Sequence, residues 1–167
     1  MIKNQLNPRG RFVIEHFREG EKINQYEMPN GITDEGKDLL LDVMFNDETA
    51  VASTSWYVGL IDLSSFSALA DADTHASHGG WIELTIYSEA NRVAWGPGAA
   101  ASQSTTNASP ATFNITGSGT CKGVFIASDN TKGGTGSSYT LWATALFSAD
   151  VPVANGDQLK ITYTVSA

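Results

Sequence analysis

The sequence predicts a mostly-β fold, an antiparallel β-sandwich of jelly-roll or immunoglobulin-like type with one short α-helix. Three observations carry this. From Trp56 to the C-terminus, short apolar runs are separated by turn residues at about the spacing of an antiparallel sandwich. The last run, "QLKITYTVSA", sets Leu159, Ile161, Tyr163 and Val165 on one face and Lys160, Thr162 and Thr164 on the other, the mark of a strand buried on one side. Helical periodicity is confined to "NGITDEGKDLLLDVMFND". A length of 167 residues suits one domain with a real core.

Taken in order, "MIKNQLNPRG" is polar, holds Pro8 and Gly10, and reads as an extended arm. "RFVIEHF" and "KINQYEM" flank "REGE", whose glycine can turn the chain, so a β-hairpin is expected. The chain is therefore divided into an arm with a hairpin over residues 1–30, expected to anchor the protein, and a sandwich body over residues 31–167. The helix is placed near residues 34–46. Leu39, Leu40, Val43 and Met44 share a face there, and Asp34 and Glu35 suit the positive N-terminal end, although Gly36 disfavours a helix.

"SWYVGLID" reads as a strand, and so does "WIELTIYS", where Trp81, Glu83, Thr85 and Tyr87 alternate with Ile82, Leu84 and Ile86. "GPGAAASQSTTNASP" is long for a connection: a surface loop touching a neighbour, or a flexible tip. Then come "ATFNIT", a "GSG" turn, "TCKGVFIAS", the loop "DNTKGGTGSS", "YTLWATALF", and the turn "NGD" before the final strand.

The formal net charge is −8 and the pI about 4.7. This argues against a nucleic-acid partner, which requires clustered Lys and Arg to displace counterions from phosphates. Six of the ten basic residues and six acids fall in the first 37 positions; the rest of the chain holds four basic and twelve acidic groups. A neutral, zwitterionic end on an acidic body suits docking to a charged protein surface; an acidic body also serves solubility alone. The N-terminus lacks the apolar stretch of a signal peptide and no run approaches a membrane span, so no membrane partner is expected. The single cysteine, Cys121, lies in a strand-like run and reads as a buried, inert thiol.

"DADTHASHGGW" is the most chemical-looking stretch. His75 and His78 are metal-ligand types, with Asp71 or Asp73 to supply oxygen, but the pair sits in a glycine-rich loop without a third rigid ligand. It reads as a capped loop entering the strand at Trp81, and no metal or cofactor is expected. Serines abound without a GxSxG elbow. Glu83 and Glu89 make a carboxylate pair of a kind any acidic β-protein offers. "TKGGTGSS" lacks the GK[ST] ending of a phosphate loop. Catalysis is not expected. Trp56, Trp81, Trp95 and Trp142 could stack on sugars, or simply fill the core.

Several phrases together, "NGITDEGKDLLLDVMF", "WYVGLID", "ADADTHASHGGWIELTIYSEANRVAWGPGAA", "VFIASDNTKGG", "LWATALF" and "VPVANGDQLKITYTVSA", resemble a family of small structural proteins of tailed bacteriophages. The resemblance spans roughly residues 30–167, and the family resembles capsid decoration (cement) proteins, with comparable sequences on tails. It implies a virion component on the capsid exterior, made in the host cytoplasm, binding the major capsid protein across capsomer junctions as a homotrimer. The alternative is a tail or fibre module binding host carbohydrate. For the decoration reading the expected partner interface lies in the first 28 residues. Arg9, Arg11 and Arg18 would pair with shell carboxylates, and Phe12, Ile14 and Phe17 would fill apolar pockets.

Overall fold

The computed structural model describes residues 8–167; residues 1–7, most of the expected arm, lie outside the described residues. Nine strands and one helix follow in the order β1 (Arg9–Arg18), β2 (Glu21–Ile32), α1 (Asp34–Phe45), β3 (Tyr57–Asp62), β4 (Val93–Ala94), β5 (Ser104–Thr106), β6 (Ala111–Asn114), β7 (Gly119–Ala127), β8 (Leu141–Val153) and β9 (Gln158–Ser166). Every pairing is antiparallel, in the order β4-β3-β7-β8-β2-β1-β9-β5, with β6 beside β5 on the same edge of β9. The sheet curls on itself in the manner of a sandwich or half-barrel.

The expected hairpin forms. Glu19 (φ 53°) and Gly20 (φ 83°) make the two-residue turn with positive φ at both positions that matches strand twist. Far from standing apart as an anchor, however, the hairpin is the middle of the sheet. β1 pairs along its length with β9, and β2 crosses from β1 to β8, where Gly31 and Ile32 face Thr144 and Ala143. Phe12, Ile14 and His16 lie opposite Tyr163, Ile161 and Leu159, and all six point inward. A strand paired on both sides sends alternate side chains to the core. The division at residue 30 therefore marks no break in packing: Phe12, Ile14 and Met28 share one cluster with Val124, Ile126 and Ile161.

α1 runs as the sequence predicts. Thr33 caps it, accepting from the Gly36 N–H at 3.1 Å, with Asp34 and Glu35 in the first turn. Gly36, the residue that argued against a helix, is what seats it: a Cβ there would stand 2.7 Å from the Trp142 carbonyl oxygen on β8. The expected apolar face is only half used. Leu39, Leu40 and Val43 are partly buried, while Met44 is exposed.

"WIELTIYS" is not a strand. Its burial repeats every third residue, at Trp81, Leu84 and Tyr87, in place of the expected alternation. The backbone explains this: it bonds by turns to β3 (Leu84 N–H to Leu60 O; Ile82 O from Asp62 N–H) and to the end of β6 and the residues after it (Ser88 N–H to Asn114 O; Ile86 O from Thr116 N–H). No single neighbour runs beside it long enough to impose a period of two. In the long connection, Ala101–Ser104 turns tightly and β5 joins β9. Between β5 and β6 the Asn107 side chain replaces backbone pairing, donating to Ile161 O at 3.0 Å and accepting from Tyr163 N–H at 3.0 Å.

β3 and β7 are buried on both faces, which explains the unbroken apolar run "VFIA". Val124 and Ile126 face the main core; Phe125 and Ala127 face a second cluster with Ile61, Trp81 and Leu141. The irregular segments between β3 and β4 and between β7 and β8 cover that outer face.

Candidate functional site

Over the outer face of β7 lies the molecule's densest group of chemistry-bearing side chains. Arg92, just before β4, sits with its guanidinium 5.0 Å from the Phe125 ring centre. Its Nε and Nη2 donate to Glu83 Oε2 at 3.0 and 2.9 Å, and Nη2 also to Gly134 O at 2.7 Å. Nη1 donates to His75 Nε2 and to Asp129 O, both at 3.0 Å. All five guanidinium N–H groups are thus used. Glu83 also accepts from the Tyr87 hydroxyl at 2.9 Å and the Gly133 N–H at 2.6 Å. Asp129 accepts from Thr131 N–H at 2.9 Å and stands 3.6 Å from Arg92 Nη1. Four separate segments meet at one buried cation.

His75 takes a definite form here. Arginine only donates, so Nε2 must accept, and Nδ1 carries the hydrogen that goes to Gly136 O at 3.0 Å. The ring is neutral. Burial lowers its pKa, and the Arg92 charge adds to this against the opposing effect of the Gly136 carbonyl. Glu35 of α1 accepts from the His75 N–H at 2.9 Å and the Leu141 N–H at 2.5 Å, tying the helix to the cluster. Burial, with the nearby Glu83 charge, raises the Tyr87 phenol far above its ordinary range.

The rest of "DADTHASHGGW" is structural in the same way. Asp73 accepts from Trp81 Nε1 at 2.9 Å, and His78 stacks on the Trp81 ring with centres 3.9 Å apart. The two histidines thus serve different partners. Among the described residues no group of three His, Cys, Asp or Glu side chains could hold a metal ion. A small cleft of about 110 Å³ opens between His78, Trp81, Glu83, Arg92 and Gly133–Thr135, and its two charged residues, Glu83 and Arg92, are already bonded to each other.

A second buried charge pins the far end of β1. Asp157 accepts from Arg18 Nε and Nη2 and from His16 Nε2, each at 2.8 Å, and from Ala154 N–H at 2.9 Å. The Arg18 hydrogen bonds, helped by His16 and Ala154, hold this carboxyl far below the usual carboxylate range despite burial.

The structure separates the residues expected at a partner interface. Phe12 and Ile14 are 0% exposed and belong to the core, so neither can enter a partner's pocket; Phe12 stacks on Tyr163 at 4.2 Å. Phe17 is partly buried beneath Lys160, whose ammonium stands 4.3 Å from its ring centre. Arg18 is engaged with Asp157, and Arg11 pairs with Glu27 across the hairpin. Arg9 and Arg11 remain exposed. Of the tryptophans, Trp81 and Trp95 are buried, while Trp56 and Trp142 are partly buried and pack edge to face at 6.1 Å. Cys121 is buried, its thiol pushed up to about 12.

No known family model matches the chain, and no curated protein matches its sequence. In the sequence Glu83 shows only as half of a carboxylate pair and Glu35 only as an acid at a helix start, while Arg92 and Asp129 carry no local signal. Their partners lie 9 to 106 residues away along the chain, beyond any local pattern. The available signal was composition: Arg92 is the one cation between Lys37 and Lys122.

Among the described residues no helix is long and apolar enough to cross a membrane.

Proposed function

We propose that this chain is a structural protein of a tailed-phage virion, a capsid decoration protein that bridges neighbouring major capsid proteins on the shell exterior, as a trimer. The phage part of this reading rests on the sequence resemblance over residues 30–167. The structural part rests on one observation: the group with the residue types of an active site is consumed by internal bonds. A catalytic arginine or histidine must have a donor or lone pair to offer substrate. All five Arg92 N–H groups are committed within the fold, so the cluster works as a brace that holds four segments against β7.

A rigid body of this kind adds interface to an assembled shell, and because it binds only the assembled state its binding free energy stabilises that state by mass action. Of the described residues of the expected anchor, the exposed Arg9 is left to pair with shell carboxylates, and Arg11, paired with Glu27 at the surface, can exchange partners. The test is co-sedimentation of the purified chain with emptied phage shells. Saturating, stoichiometric binding is expected, lost on deleting residues 1–10 together with Arg11→Ser, while the circular dichroism of the β-body stays unchanged. Full occupancy by the deletion variant would move the anchor elsewhere; failure of the intact chain to bind shells would remove the decoration reading.

A further inference from the structure

The hydrogen bonds that fasten α1 to β8 lie at its start. Thr33, Glu35 and Gly36 fasten its first turn to β8, and Gly36 is its only fully buried residue. The far end carries Leu41, Met44 and Phe45 at 51, 64 and 80% exposure, the largest concentration of exposed apolar side chains among the described residues. Large apolar groups clustered in this way on a surface mark a contact.

The charges on the same face say what kind of contact. Asp34, Asp38 and Asp42 repeat at four-residue spacing and so form a stripe; Leu41 and Phe45 lie three residues after Asp38 and Asp42 and share that face. Beside the stripe a cleft of about 520 Å³ opens between α1 and the residues before β8, lined by Asp38, Leu39, Asp42, Glu48 and Tyr139. Lys37, tied to Asp34 at 3.0 Å, is the only cation in the helix.

We infer that the free end of α1 and its cleft dock a segment of a different protein in which lysine or arginine alternates with aliphatic or aromatic side chains. The apolar groups require burial, and the interleaved carboxylates require cations beside them. A second copy docked through the same face would set Asp38, Asp42 and Glu48 against their own counterparts, in a chain of net charge −8. Charge complementarity therefore selects a basic partner. The inference stands independently of the virion reading: shell binding and peptide binding can each fail alone.

The test uses the full chain, ¹⁵N-labelled, titrated with a synthetic peptide of alternating lysine and leucine and with its glutamate–leucine counterpart. Saturable one-to-one binding of the lysine peptide is expected, with shifts confined to α1 and the residues around Tyr139. Binding should weaken roughly tenfold or more in the double variant Leu41→Ser, Phe45→Ser. It should also weaken on raising salt. Both substituted side chains are exposed, so an unchanged melting temperature verifies the fold. Four results would overturn the inference: no saturable binding; equal binding by the double variant; self-association through α1 in sedimentation; or binding that appears only after residues 1–7 are removed, which would make the chain's own end the occupant.

Discussion

Arg92 ties its own segment to three others through five N–H bonds, and removing it leaves the Glu83 and Asp129 carboxylates buried without their cation. Arg92→Met is expected to cost about 3–5 kcal/mol, the usual penalty for stranding one member of a buried ion pair. Urea denaturation measures it; a loss under 1 kcal/mol would mean that water already reaches the carboxylates. His75 gives the same site a pH signature. Its native pKa lies below the ordinary value of 6.5, so on acidification the unfolded chain takes up the proton first. Stability is then fully present above pH 6.5 and falls as the pH drops below it. His75→Gln keeps one donor and one acceptor without titrating, so its stability should fall less than the wild type's between pH 7 and 5. Parallel curves for the two proteins would remove His75 as the cause.

The strands that read clearly in the sequence are those whose neighbours enforce a period of two. β9 alternates because β1 lies along one side and β5 and β6 share the other, and β1 and β2 announce their turn through Glu19 and Gly20. "WIELTIYS" misled because its alternation of residue types coexists with a backbone bonded by turns to two neighbours, a tertiary fact that local pattern does not carry. The candidate site was illegible for a similar reason. His75 could be picked out by type, but its role is set by Arg92 and Gly136, 17 and 61 residues on. The hairpin's expected apolar anchors, Phe12 and Ile14, alternate correctly for a strand, and that alternation places them in the core. α1 offers an element-scale test. Gly36→Ala should raise helix propensity by about 1 kcal/mol, yet its Cβ would press on the β8 backbone, where overpacking costs about 1–3 kcal/mol. Net destabilisation in thermal melts is expected; a stabilised variant would mean that α1 can shift away from Trp142 without cost.

At the scale of the whole molecule, a curled sheet buried on both faces of β3 and β7 is braced on its outside by one charge cluster and at the far end of β1 by another around Asp157. Its surface carries two unlike regions: an exposed basic start at Arg9 and Arg11, and an acidic, apolar helix end at Asp42 and Phe45. Unlike faces on one rigid body suit a protein that joins two different neighbours. The proposal of a structural role on a phage head is tested most directly by gold-labelled antibodies against this chain applied to intact tailed-phage particles whose genome carries its gene. Regular labelling over the head surface is the result this account predicts; unlabelled particles, or label confined to the tail, would contradict it.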